Sequence, residues 1–184
     1  EVLPADIGNL TQLRTLYANW CRLTELPATL GRLTALEDLW LNDNQLSRLP
    51  DSFGRLIRLK QLSLDSNRLN RFPEVLLGLK QLENLRITDN GISMLPDEIG
   101  NLTELRSLSL GRNNLTTLPR SIAKLEKLTY LGLQGNPLES LPPEVWRLPC
   151  LVTLNLGHTG LVDLPPEAAN IPSIIGLPGQ RVHS

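Results

Sequence analysis

Few residues in this chain could do covalent or metal chemistry. His158 and His183 are the sole histidines, which leaves neither a histidine-rich metal site nor an HExxH arrangement. No GxxxxGK motif followed by Ser or Thr appears, and no GxGxxG, so the commonest phosphate-cradling loops are missing. Cys150 has no histidine near it in sequence to draw off its proton. The expectation is therefore a chain that is not an enzyme, with no catalytic residue, metal, cofactor or small-molecule substrate. What it does carry is recognition chemistry. Tyr17, Trp20 and Trp40 gather near one end of a sequence with only 4% aromatics, interleaved with Glu37, Asp38, Asp43, Asp65 and Asp89. Aromatic rings anchor protein interfaces, and carboxylates beside them favour a partner presenting basic and apolar groups. Arg86, with Arg106 and Arg112 further along, could meet a carboxylate or phosphate on that partner.

These side chains are positioned by a strict repeat. A hydrophobic-Pro pair recurs at Leu3-Pro4, Leu26-Pro27, Leu49-Pro50, Phe72-Pro73, Leu95-Pro96, Leu118-Pro119, Leu141-Pro142 and Leu164-Pro165, a fixed period of 23 residues. A period of this length means stacked equivalent units, each too small to bury its own core. In the second unit Leu39 and Leu41 share one side of a short strand, while Asp38, Trp40 and Asn42 share the other. After each proline an apolar residue follows at three (Ile7, Leu30, Phe53, Leu76, Ile99, Ile122, Val145) and again at six, which predicts a 3₁₀ turn begun by proline. Strands should line the concave side and the narrower turns the convex side. Tyr17 and Trp40 then share a phase on adjacent strands, about 4.8 Å apart at the backbone. Leu77 and Trp146 fall at a convex phase filled elsewhere by Gly8, Gly31, Gly54, Gly100 and Ala123, and are expected to fold down over neighbouring turns.

Asn44, Asn67, Asn90, Asn113 and Asn136 occupy the phase where the chain leaves the strand. An amide pointing inward there can satisfy backbone groups from coil to coil, forming a structural ladder. Cys21 and Thr159 hold that phase in the outer units, with weaker hydrogen-bonding groups. Cys21 and Cys150 lie more than five units apart, roughly 25 Å or more, too far for a disulfide. Two free thiols favour a reducing cytoplasm. Eighteen basic and nineteen acidic residues give a net charge of −1, so neither nucleic acid nor an anionic membrane is an expected partner.

These residues resemble the leucine-rich repeat family, in its 23-residue form LxxLxLxxNxL followed by xxLPxxIxxL. The subgroup is similar to intracellular Ras-associated and plant-type repeat proteins and to bacterial effector repeats. The resemblance implies an α/β-type repeat solenoid, a horseshoe with a parallel β-sheet on the concave face and 3₁₀ or short helical turns on the convex face. It also implies a protein-binding scaffold whose partner is chosen by exposed residues outside the motif. If the chain belongs to an effector, the cytoplasm would be that of a host cell.

The boundaries follow from the phase. Residues 1–172 should form the solenoid, about seven 23-residue repeats, and 173–184 a degenerate C-terminal repeat or cap with a tail. Continuing the phase sets Ile174 beneath Leu151 and Leu177 beneath Leu154, until Pro178 and Gly179 interrupt. The abrupt start reads as a fragment of a longer protein. The function expected is binding of a protein partner on the concave face, centred on Tyr17, Trp20 and Trp40. The same aromatics could instead cover the first strand against water. Two further alternatives are the substrate-recruiting part of a larger enzyme, a ubiquitin ligase or kinase, and an extracellular receptor for peptide or glycan.

Overall fold

The computed structural model describes residues 1–161 and 163–176; His183, Leu177, Pro178 and Gly179 fall outside them. Except in the seventh unit, whose turn is preceded by Glu144 in helical conformation, an extended proline delivers the chain into a 3₁₀ turn, Pro4 at φ −61° and ψ 142° for example. The turns run Ala5–Asn9, Ala28–Arg32, Asp51–Arg55, Glu74–Gly78, Asp97–Asn101, Arg120–Lys124, Val145–Arg147 and Pro166–Asn170. Their bonds span three residues: the Ile7 amide donates to the Pro4 carbonyl and the Leu10 amide to the Ile7 carbonyl, both at 3.0 Å.

After each turn the chain crosses to a three-residue strand. These are β1 (Thr15–Tyr17), β2 (Asp38–Trp40), β3 (Gln61–Ser63), β4 (Asn84–Arg86), β5 (Ser107–Ser109), β6 (Tyr130–Gly132), β7 (Thr153–Asn155) and β8 (Ser173–Ile175). They form one open parallel sheet in sequence order. From β1 to β7 residues 23 apart are paired, Leu16 with Leu39 and Tyr17 with Trp40 among them.

The last pairing departs from the phase. Ile174 lies beside Leu154, and Ile175 beside Asn155, so β8 joins at a spacing of 20 residues and Ile174 takes the place expected of Leu177. The cause is local. In the preceding unit five residues separate the turn at Arg147 from Thr153, whereas Asn170 and Ser173 are separated by two, and Ile171 is already extended at φ −91° and ψ 118°.

Between sheet and turns runs a single core. Leu39, Leu62, Leu85, Leu108, Leu131 and Leu154 are at most 2% exposed. Each contributes about 1.5–3 kcal/mol once the neighbouring coil covers it. In the first coil the same phases, Leu3, Ile7, Leu13 and Leu16, are only half-buried, because the second coil covers them from one side. On the convex side a Cβ on Gly100 would lie 2.6 Å from the Ser121 carbonyl oxygen, so glycine there lets successive turns close up. Trp146 does fold down, being 6% exposed, and Leu77 packs half-buried against the core.

Candidate interaction face

The strand exits are built by side chains. Asn113 Nδ2 donates to the carbonyls of Ile87 (3.0 Å), Leu110 (2.9 Å) and Gly111 (3.3 Å), and its Oδ1 accepts from the amides of Asn90 (3.1 Å) and Ile92 (3.0 Å). Asn44, Asn67, Asn90 and Asn136 repeat this arrangement, all buried. In the outer coils it weakens: Thr159 Oγ1 donates to Leu156 O at 2.8 Å and Cys21 Sγ to Asn19 O at 3.1 Å, and Cys21 is half-buried. Cys150 is exposed, and both thiols are free.

The residue before each ladder position takes a left-handed backbone. Trp20, Asp43, Ser66, Asp89, Arg112 and His158 have φ between 51° and 56°, and Gly135 has φ 69°. Each non-glycine residue there costs roughly 1–2 kcal/mol. The conformation turns the chain downward while throwing the side chain out along an exit rim. Sequence reasoning missed this row, since only Gly135 advertises it by residue type.

Tyr17 and Trp40 are stacked, with ring centroids 6.0 Å apart and planes at 17°. Tyr17 is 69% exposed and Trp20 74%. Both rings stand largely in solvent. Trp40 is half-buried, its indole Nε1 enclosed and without a hydrogen-bond partner.

Several of the expected charged residues are engaged within the fold. Along the strand entrances Arg14, Glu37, Lys60, Glu83 and Arg106 alternate in sign, one per coil. Glu37 accepts from Arg14 at 3.2 Å and from Lys60 at 2.9 Å, and Arg106 lies 3.7 Å from Glu83. The Lys60 ammonium, by its hydrogen bond and its charge, holds the Glu37 carboxyl below its usual range against a desolvation cost, with lesser help from Arg14 and Arg58. Glu37 in turn raises Lys60. Asp65 takes Arg86 at 2.6 Å and the Thr88 amide at 2.7 Å. That carboxylate continues a short inner row, in which Asn19 and Asn42 accept from the amides of Asn42 (2.7 Å) and Asp65 (2.9 Å). Asp38 accepts from the Thr15 hydroxyl at 3.2 Å. Asp43 and Asp89 are exposed and form no ion pair among the described residues. The structure thus brings Tyr17, Trp40, Trp20 and Asp43 together at one end, while Glu37, Asp65 and Arg86 serve the scaffold as well as the surface. Among the described residues no group of three or more His, Cys, Asp or Glu is placed to hold a metal ion.

Comparisons with known proteins agree with this architecture. A leucine-rich repeat region profile matches residues 2–90, and a leucine rich repeat profile matches residues 80–138. A leucine-rich repeat protein from Leptospira interrogans is 34% identical with TM-score 0.90, over 96% of this chain and 45% of its own. The ectodomain of a plant membrane receptor kinase from Arabidopsis thaliana, solved with Casparian strip integrity factor 2, is 28% identical with TM-score 0.73, over 96% of this chain and 25% of its own. An internalin from Listeria monocytogenes shares the fold at 21% identity and TM-score 0.82, over 96% of this chain and 51% of its own. The chain thus spans less than half the length of the Leptospira protein. The search of curated proteins found no match. With the two profiles running together from residue 2 to residue 138, and with a buried asparagine ladder and a parallel strand in every coil, the chain belongs to the leucine-rich repeat family.

Proposed function

We propose that this solenoid is a protein-recognition module that binds a partner polypeptide on its concave face, centred on the aromatic end of coils one and two. The leucine-rich repeat fold commonly mediates protein–protein interaction, and its domains are generally binding modules rather than enzymes. The observation that carries the reading is the stacked Tyr17–Trp40 pair at the strand end of coils one and two, with Tyr17 69% exposed and Trp20, three residues further along the first coil, 74% exposed. Large rings held on rigid strands lose little entropy on binding, which suits them to anchor an interface.

The test is affinity capture by the intact protein and by a Tyr17→Ala, Trp40→Ala double variant, with melting temperature measured on both. Loss of a captured protein at unchanged melting temperature is the expected result. Retention of every captured protein, or loss accompanied by a large fall in melting temperature, would refute the reading.

A second reading, an extracellular receptor, draws support from the likeness to the plant receptor ectodomain. The free thiols support a cytoplasmic location instead. A membrane-impermeant maleimide applied to intact cells distinguishes them, since exposed Cys150 stays unlabelled only in the cytoplasm.

A further inference from the structure

Once the pairs that the fold makes for itself are set aside, charge on the concave face follows a simple order. The entrance rim neutralises itself by alternation, and Asp65 neutralises Arg86. On the exit rim nothing comparable happens. Asp43 and Asp89 project from coils two and four, Arg112 from coil five, all exposed and without an ion pair among the described residues. Asp89 and Arg112 are neighbours in that row, yet their side chains do not close to ion-pair distance. Over the whole concave face, coils one to four carry three basic and six acidic side chains, a formal −3. Coils five to seven carry Arg106 and Arg112 with no acid, a formal +2, of which Arg106 is engaged by Glu83 and Arg112 forms no ion pair among the described residues. The face is therefore acidic at its aromatic half and basic at the other, although the whole chain is at −1. Such a separated field selects the orientation of a partner as well as its composition.

The spacing sets a length. Three strand steps separate Asp43 from Arg112, about 14 Å at roughly 4.8 Å per step. An extended polypeptide covers that in about four residues at roughly 3.4 Å each. We infer that the concave face takes an extended segment bearing a basic side chain over the Asp43 and aromatic end and, about four residues along, a carboxylate at Arg112. The inference rests on the binding reading above and adds to it the chemistry and register of the partner. Asp43 and Arg112 stand on the same left-handed backbone phase, at φ 55° and 51°, so both side chains leave the backbone at equivalent points of their coils. Removing or reversing either leaves the core and the asparagine ladder untouched.

The experiment is selection of a random twelve-residue displayed peptide library on three proteins, the unaltered chain, an Asp43→Lys, Arg112→Glu variant and the Tyr17→Ala, Trp40→Ala variant, with the affinity of the enriched peptides measured also on a fourth, the single variant Arg112→Glu. On the unaltered chain the enriched peptides should pair a Lys or Arg with an Asp or Glu about four positions away. Their affinity should fall about tenfold on Arg112→Glu alone, the size of one charge-assisted pair. On the charge-exchanged variant the same spacing should return with the two signs in reverse order. Enrichment of peptides without that pair, the same sign order on the exchanged variant, or no enrichment on the unaltered chain each overturns the inference. Uncharged peptides that bind the unaltered chain and lose binding on the Tyr17→Ala, Trp40→Ala variant would leave the binding reading standing and remove only the charge register.

Discussion

Asn113 shows how much one side chain can do in this fold. It satisfies three carbonyls and two amides drawn from its own coil and the one before, at 3% exposure. Asn113→Ala strands the Ile87 carbonyl and the Asn90 and Ile92 amides away from water, while Leu110 O keeps Asn136 Nδ2 and Gly111 O keeps the Asp89 amide, and unfolding in urea should show a loss of about 3 kcal/mol or more. The convex glycines make a sharper comparison. A Cβ on Gly100 would lie 2.6 Å from Ser121 O and 3.0 Å from Lys124 Cδ, whereas one on Gly54 would meet only Val75 O, at 3.5 Å. Gly100→Ala should therefore destabilise by about 1–3 kcal/mol, while Gly54→Ala should be neutral or stabilise by up to about 1 kcal/mol. Equal effects in thermal melts would show that close approach of the turns is not what glycine permits. The ladder was legible in sequence because one residue type returns at one phase. The left-handed row was not, because Trp20, Asp43, Ser66, Asp89, Arg112 and His158 share no side-chain chemistry.

Strands and turns were placed correctly by alternation and by the position of proline, and the 23-residue register of β1 to β7 follows from the same pattern. β8 escaped because a shortened crossover leaves no mark in the periodicity: Ser173–Ile175 reads as phase-shifted until the pairing of Ile174 with Leu154 is seen. The entrance rim was also overlooked as a unit, though its alternating charges are visible once residues 23 apart are aligned. Its pH dependence follows from direction. The Glu37 carboxyl is lowered from 4.5, so its contribution is complete above that value and is lost as pH falls through the lowered one. Lys60 is raised from 10.5, so its contribution is complete below that value and is lost as pH rises through the raised one. A Glu37→Gln protein should melt lower than the unaltered chain at neutral pH and at the same temperature once the carboxyl is protonated. The gap should also narrow in high salt, because these charges are solvent-exposed. A gap independent of both pH and salt would mean that Glu37 acts through packing.

At the scale of the whole molecule, each coil leans only on its neighbours, so stability accumulates along the axis, and the concave surface shares in it through the entrance-rim ion pairs, the Asn19, Asn42 and Asp65 row and the Asp65–Arg86 pair. The scaffold was legible because inward residues repeat. The surface was only partly so: the aromatic end could be read from the shared phase of Tyr17 and Trp40, but which acids remain unpaired depends on contacts between coils. The account centres on Trp20 and Trp40 facing a partner from the hollow, with Trp146 buried at 6% exposure on the convex side. Incorporating 5-fluorotryptophan gives one fluorine resonance for each of the three tryptophans, assigned by single Trp→Phe replacements. Adding a captured partner should shift or broaden the Trp20 and Trp40 resonances and leave that of Trp146 in place. A spectrum in which Trp146 moves while Trp20 and Trp40 stay fixed would put the binding surface on the opposite face and contradict the account.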